Sequence, residues 1–279
     1  MVLEKLRLDG PPRRVIIVTG GSRGLGKAMS ISLAEAGADI CIASRTVSQL
    51  ESAAAEIKAA GGREPLIVPT NVQSPADCDA LIEKTVAHFG RLDVMLNNAG
   101  IGDRRGAGDR IQDLDDADWH DTIEVNLHST FYCSRAATRQ FLKQGPGGVI
   151  LNVASGTALR SSPQSLGYAA AKAGVISLTK SLAAQLVGED IRVNCIIPGF
   201  VAQSPARDDE EAAMRKQRGR FITVRRLGEA WELGPLAVFL CSDASSYVTG
   251  ESFSIDGGGL AGGIAPTGYA MAETAVSRG

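Results

Sequence analysis

Between Ser155 and Lys172 the chain reads S-G-T-A-L-R-S-S-P-Q-S-L-G-Y-A-A-A-K, with a hydroxyl thirteen residues before a phenol and an ammonium four residues after it. A phenol titrates near ~10, so by itself it is a poor proton shuttle at neutral pH. A neighbouring cation favours phenolate and lowers that value, each unit corresponding to about 1.4 kcal/mol. A serine hydroxyl close by can hold a carbonyl oxygen while the phenol gives it a proton. The plain alternative is a surface Tyr–Lys pair, because that spacing recurs on many helices.

Particular elements must position these groups. After Gly167 the sequence is rich in helix formers, and Val175, Leu178, Leu182 and Leu186 repeat at three- and four-residue steps, which predicts one apolar face. On that helix Tyr168 and Lys172 share a face, one turn apart. The preceding run Val149 to Ala154 reads as a buried strand that delivers Ser155 at its end.

The whole chain has 279 residues, 44% of them hydrophobic, abundant glycine and a net charge of −2. That is enough for one large domain or two small ones, with most of the unfolded surface buried. The composition suits parallel strands alternating with helices. No overall field points to nucleic acid or membrane. The five cysteines (41, 78, 133, 195 and 241) form no CxxC or Cys/His cluster, so no disulfide framework or metal site is expected. Free buried thiols in a reducing compartment are the plain reading. The histidines (88, 120 and 128) have no metal spacing and are expected on helix surfaces. The N-terminus lacks a signal-peptide core, and no apolar run approaches the ~20 residues of a membrane span. The expected location is cytoplasmic.

In order, Val15 to Val18 predicts a strand leading into T-G-G-S-R-G-L-G (Thr19 to Gly26), then a helix through Met29, Leu33 and Ala36, closed by Gly37. Strand, Gly-rich turn and helix is the arrangement that sets a diphosphate on a helix N-terminus, with Gly20, Gly24 and Gly26 allowing close backbone approach. Asp39 to Ser44 is the second strand. An acid about 20 residues past the Gly turn would bind the ribose of NAD. The chain has Ser44-Arg45 there, with Arg23 in the turn, which suits the extra phosphate of NADP; a solvated arginine is the alternative. A helix is predicted from Val47 to Ala60, a strand from Pro65 to Thr70 and a Ser-capped helix from Ser74 to Phe89. A strand from Leu92 to Leu96 runs into Asn97-Asn98-Ala99-Gly100, small and amide residues suited to a flat cofactor.

Gly102 to Asp109 reads as a solvated loop without evident chemistry. A long helix is expected from Ala117 to Gln144, with Asn126 exposed in its middle. Ile191 to Ile197 is a sixth strand ending in Pro198-Gly199. Phe200 to Gly228 lacks strands and has the look of a mobile lid. Its basic cluster (Arg215, Lys216, Arg218, Arg220, Arg225, Arg226) either attracts an anionic substrate or is the solvated half of a balanced helix. Ala230 to Ser242 is a last helix, Ser252 to Ile255 a seventh strand, and the tail from Ile264 has no periodicity. Strands alternating with helices, with candidates at strand ends, predict an α/β, doubly wound parallel sheet of about seven strands with helices on both faces. Residues 1–263 are expected to be a single dinucleotide-binding and catalytic domain carrying the lid at about 200–228, and residues 264–279 a tail.

The ordered set T-G-G-S-R-G-L-G, N-N-A-G, V-N-L around Asn126, Ser155, Y-A-A-A-K, I-I-P-G and S-Y-V-T-G-E-S-F-S-I-D-G-G resembles the classical short-chain dehydrogenases/reductases over about residues 13 to 260. The resemblance implies a Rossmann-type fold and hydride transfer between a nicotinamide cofactor and a ketone/secondary alcohol pair. It implies Tyr168 as general acid/base, and Lys172 binding the nicotinamide ribose and lowering the tyrosine pKa. Ser155 would polarise the substrate oxygen, and Asn126 would hold a water linking Lys172 to solvent. The implied NADP(H) contacts are Gly20, Ser22, Arg23, Gly24, Leu25 and Gly26 in the turn, then Ser44, Arg45, Asn71, Val72, Asn98, Ala99 and Gly100. Tyr168, Lys172, Pro198, Gly199 and Val201 complete them, with Ile197 close by. Asn71 stands where relatives have an Asp that contacts adenine, and Gln203 where they have Thr. No metal is implied, and a small-molecule substrate and a homotetramer or homodimer are. The chain is similar both to 3-oxoacyl thioester reductases and to sugar-acid dehydrogenases such as the gluconate 5-dehydrogenases. A dinucleotide-binding sensor without turnover is the remote alternative.

Overall fold

The computed structural model describes residues 2–103, 110–160 and 165–262. Its β-branched runs form parallel strands: β1 (Val15–Thr19), β2 (Asp39–Ser44), β3 (Leu66–Pro69), β4 (Val94–Asn97), β5 (Gly148–Val153) and β6 (Ile191–Pro198). The two-residue strands β7 (Val201–Ala202) and β8 (Gly228–Glu229) make a separate ribbon, and β9 (Ser252–Ile255) closes the main sheet. The seven main strands lie in the order β3-β2-β1-β4-β5-β6-β9, all parallel. This is a Rossmann-like doubly wound sheet, and its order reverses between β1 and β4.

Helices cover both faces: α1 (Val2–Leu6), α2 (Gly24–Glu35), α3 (Val47–Gly61), α4 (Pro75–Phe89), α5 (Asp116–Ile123), α6 (Ser129–Gln144), α7 (Leu166–Leu186), α8 (Asp209–Gly219) and α9 (Gly234–Cys241). Alternation along the strands divides the core. Ile16, Val18, Val94, Leu96, Val149 and Leu151 pack with α2, α3 and α9 residues on one face. Val15, Ile17, Met95 and Ile150 pack with α4, α6 and α7 residues on the other. Every residue of β1 is buried, and burying one such aliphatic side chain contributes about 1.5–3 kcal/mol. The predicted cap of α4 is present: Ser74 Oγ accepts from the Asp77 amide, Pro75 follows at the first turn, and Gly90 ends the helix at φ 82°.

Four expectations change. The long helix expected from Ala117 is interrupted by a π turn, Glu124–His128, and Asn126 within it is 0% exposed. The segment expected to lack strands is bracketed by β7 and β8, where Val201 pairs with Gly228 and Ala202 with Glu229. The last helix begins as a 3₁₀ turn, Ala230–Leu233, before α9. On α7 the buried stripe is Lys172, Val175, Thr179, Ala183 and Leu186, while Leu178 and Leu182 are only half-buried. Thr179 takes the core position because its hydroxyl accepts from Asn152 Nδ2 at 2.9 Å. All five cysteines are free and buried. Among the described residues no His/Cys/Asp/Glu cluster could hold a metal ion, and no helix is long and apolar enough to cross a membrane. The tail from Ile264 lies outside the described residues.

Candidate active site

A cavity of about 610 Å³ opens where the strand order reverses, outside the carboxyl ends of the strands. One end is built on the glycine turn. Gly20 follows β1 at φ 65°, and a Cβ there would sit 3.0 Å from the Ala99 Cα. A Cβ on Gly26 would sit 2.3 Å from the Gly20 carbonyl, so the turn and the start of α2 can meet only without side chains. Asn98 Nδ2 donates to the Thr19 and Gly20 carbonyls at 3.0 and 3.3 Å. Thr19 Oγ1 in turn accepts from the Asn98 and Ala99 amides, each at 3.1 Å. Thr19 was not among the expected site residues; its place as the last residue of β1 is the signal that could have found it.

The structure brings Gly20, Ser22, Arg23, Leu25, Ser44, Arg45, Asn71, Val72, Asn98, Ala99 and Gly100 into the lining of one cavity together with Ser155, Tyr168, Lys172, Pro198, Gly199 and Val201. Gly24 and Gly26 lie behind the wall, as does the buried Asn126. Thr46, Gln49, Thr70, Gln73, Ile101 and Gln203 also line the cavity, and all but Gln203 went unnoticed in the sequence; they sit one to five residues past strand ends. Ser44 Oγ is buried and lacks a hydrogen-bond partner. Arg23 and Arg45 are exposed beside it, and neither makes an ion pair among the described residues. Asn71 is exposed, and its Oδ1 accepts from the Gln73 amide at 3.3 Å. Gln203 reaches over the turn, its Oε1 2.6 Å from where a Gly24 Cβ would lie.

At the other end, Ser155 is fixed by Thr157, whose amide and hydroxyl both donate to the Ser155 Oγ, at 3.3 and 3.0 Å. Ser155 and Tyr168 line the same cavity. Lys172 is buried one turn along α7; its Nζ lies 5.8 Å from the Tyr168 ring centroid and donates to the Val153 carbonyl at 2.9 Å. The expected lowering of the tyrosine pKa is not what this geometry produces. Burial pushes Tyr168 up, the Ser155 hydroxyl pulls it partly back, and the Asp103 carboxylate pushes it up again. The ammonium is directed at a backbone carbonyl, and burial brings Lys172 itself down to about 8. Asn126 Nδ2 donates to the Ile101 and Thr122 carbonyls at 2.8 and 2.9 Å, and its Oδ1 accepts from the Ile101 amide at 3.3 Å. It therefore clamps the loop after β4 to the π turn. Chemically, this end offers a carbonyl oxygen a serine hydroxyl and a protonated phenol on one side of the cavity.

The arginines of the 200–228 segment do not reach the cavity. Glu211 accepts from Arg207 and Arg215 at 2.8 and 2.7 Å, and Glu232 pairs with Arg226 at 2.7 Å. Those two carboxylates are held down at about 2 by their arginines. The balanced-helix reading is the one the geometry supports for Arg215 on α8, while Arg226 is paired outside that helix. The segment is pinned to the turn after β9 by Val224, whose amide donates to the Gly257 carbonyl at 3.1 Å, and by Thr223 Oγ1 donating to the Gly258 carbonyl at 2.8 Å.

Residues 20–259 match the family model described as enoyl-(acyl carrier protein) reductase. The chain is 36% identical to 2-dehydro-3-deoxy-D-gluconate 5-dehydrogenase of Dickeya dadantii (strain 3937), over 94% of this chain and 100% of that one. It is also 36% identical to a 3-oxoacyl-[acyl-carrier-protein] reductase of Synechocystis sp., over 88% of this chain and 96% of that one. NADPH-dependent 3-quinuclidinone reductase from Rhodotorula rubra superposes with a TM-score of 0.81 at 32% identity, covering 94% of this chain and 95% of the other. With the sheet order, the glycine turn and the Ser155–Tyr168–Lys172 arrangement all in place, the chain belongs to the short-chain dehydrogenase/reductase family and is an oxidoreductase of that type.

Proposed function

We propose that this protein is an NADP(H)-dependent oxidoreductase that interconverts a ketone and a secondary alcohol, acting in the manner of a 3-oxoacyl reductase. The observation that carries the reading is that Ser155, Tyr168 and Lys172 line one cavity together with the glycine turn, Lys172 Nζ lying 5.8 Å from the Tyr168 ring centroid. The residues present fit the cofactor. Gly20 and Gly26 leave a backbone cradle that a Cβ would fill, and the unpartnered Ser44 hydroxyl offers a group for the ribose phosphate. Arg45 and Arg23 are free to take the charge of a 2′-phosphate, and no acid stands where NAD's ribose diol would need one. Similarity to an NADPH-dependent reductase supports the same choice.

Bound NADPH would supply the hydride. Ser155 holds the substrate oxygen, and Tyr168 donates its proton to that oxygen as the alcohol forms, or removes it in the reverse direction. A protonated Tyr168 at neutral pH suits reduction, and burial keeps it protonated. Lys172 Nζ would hold the nicotinamide ribose. Gly100 keeps the space between Asn126 and Lys172 open, since a Cβ there would lie 2.7 Å from Asn126 Oδ1 and 3.4 Å from Lys172 Nζ. Asn126 uses that space to seat a water that links Lys172 to solvent. Partially exposed Phe131 and Leu142 on α6 support association of copies through α6 and α7 as a homotetramer or homodimer. A second reading, a sugar-acid or polyol dehydrogenase, is favoured by the end-to-end match to the Dickeya protein.

NADPH oxidation with acetoacetyl-CoA and with 5-ketogluconate, run side by side, tests the choice. Turnover of the thioester alone supports the acyl-reductase reading. Turnover of the keto acid alone replaces it with the second. Activity equal with NADH and NADPH on either substrate would overturn the cofactor assignment.

A further inference from the structure

Of the loop Gly102 to Asp109, residues 104–109 lie outside the described residues, and Asp103 meets the start of α7. Asp103 Oδ1 accepts from the backbone amide of Tyr168 at 3.0 Å, across 65 residues of sequence. The first amides of a helix have no partner within it. The residue in the capping position, Ser165, supplies none: its side chain makes no capping bond. The neighbouring Gly167 makes the approach possible, because a Cβ there would sit 2.9 Å from Asp103 Oδ1 and 3.2 Å from Thr122 Cγ2. The other carboxylate oxygen, Oδ2, is buried without a hydrogen-bond partner. Leaving such an acceptor unpaired has a free-energy cost, so the carboxylate is held here against its own solvation.

We propose that Asp103 is a positioning residue for Tyr168: delivered from the loop after β4, it caps the amide of the tyrosine and holds that end of α7 in register with Ser155. The inference rests on the reading of Tyr168 as the acid/base. Asp103 also places a negative charge beside the phenol. Ser155 bears on the tyrosine from the end of β5, and α5 meets the neighbouring Gly167 through Thr122; both are uncharged. Lys172 on its own helix is turned to Val153. Asp103 and Lys172 are thus the charged groups that bear on the phenol among the described residues, and Asp103 acts to keep it protonated.

The test combines Asp103→Ala, which removes cap and charge, with Asp103→Asn, which keeps an acceptor and removes only the charge. Gly167→Ala disturbs the same contact from the helix side should Asp103→Ala fail to fold. Tyr168 is followed by phenolate absorbance during alkaline titration, each spectrum referenced to the same protein carrying Tyr168→Phe; this needs no substrate. The expected result is that Tyr168 titrates at lower pH in Asp103→Asn than in wild type. Hydrogen exchange at the start of α7 should rise by about fivefold in Asp103→Ala and remain near wild type in Asp103→Asn, the typical size of a lost cap. With NADPH and whichever of acetoacetyl-CoA or 5-ketogluconate the wild type reduces, kcat should fall in Asp103→Ala and recover in Asp103→Asn, with KM for NADPH unchanged. Superimposable titrations and exchange in all variants would overturn the proposal. Tyr168→Phe retaining full turnover, with the titration shift still present, would instead overturn the reading of Tyr168 and leave the cap standing.

Discussion

The two ends of the cavity are built differently. At the glycine turn, each wall residue lies within a few positions of a strand end, and the contacts are backbone to backbone or backbone to amide: Gly20 on Ala99, Asn98 on Thr19 and Gly20. At the tyrosine end, side chains make the contacts. Asp103 reaches the Tyr168 amide, Asn126 clamps Ile101, and Lys172 donates to the Val153 carbonyl. Recognition of a diphosphate needs only backbone amides and absent side chains, so two strand ends that meet without side chains suffice at the first end. Placing a proton donor against a substrate needs several elements aligned at once, so the second end draws side chains from the loop after β4, the π turn and α7.

The sharpest way to break this comparison is Tyr168→Phe. Turnover should fall by about 10²–10⁴-fold while NADPH binding, followed by fluorescence titration, is retained. Survival of turnover would mean that the tyrosine end holds another acid. At the opposite end, Arg45→Asp removes a charge-assisted contact of about 1.5–3 kcal/mol, so NADP affinity should drop by roughly 10- to 150-fold with NAD affinity little changed. If it does not drop, Arg45 is solvated and Arg23 carries the phosphate.

Gly26→Ala separates the two ends by stability. Its Cβ would face the Gly20 carbonyl at 2.3 Å, with no flexible side chain to yield on that side. A loss of about 1–3 kcal/mol in denaturant unfolding is expected, together with weakened cofactor binding. An unchanged midpoint would show that the turn can relax.

A smaller, global effect comes from the thiols. Burial pushes Cys41 and Cys241 up to about 12 and Cys195 to about 11, from the ordinary 9.0. The unfolded chain releases those protons first, so this stability is present below pH 9 and is lost as pH rises towards the folded values. Lys172 works in the other sense: at about 8 folded against 10.5 unfolded, it contributes stability that grows between those values. With three thiols against one lysine, Tm measured under reducing conditions should decline from pH 9 upward, and a flat or rising Tm would contradict the burial of the thiols.

Much of the site is legible in the sequence. The Gly-rich turn, Ser44-Arg45, N-N-A-G, Ser155, Tyr168 and Lys172 all sit at strand ends or on one helix face, and periodicity with glycine spacing places them there. Asn126 was identified as a site residue but placed on the surface. Nothing local announces a π turn, and its burial depends on a loop 25 residues away in sequence. Asp103 was passed over for the same reason.

By itself the sequence determined the alternation of strands and helices, the parallel sheet they imply and the side chains at its carboxyl edge, because those follow from local propensity and short-range pattern. Only the tertiary structure decided which way Lys172 points, which charges bear on Tyr168, and that Arg215 and Arg226 are paired with Glu211 and Glu232. Those outcomes depend on burial and on charges brought together from distant segments, and electrostatic energy is set by separation in space rather than by separation along the chain.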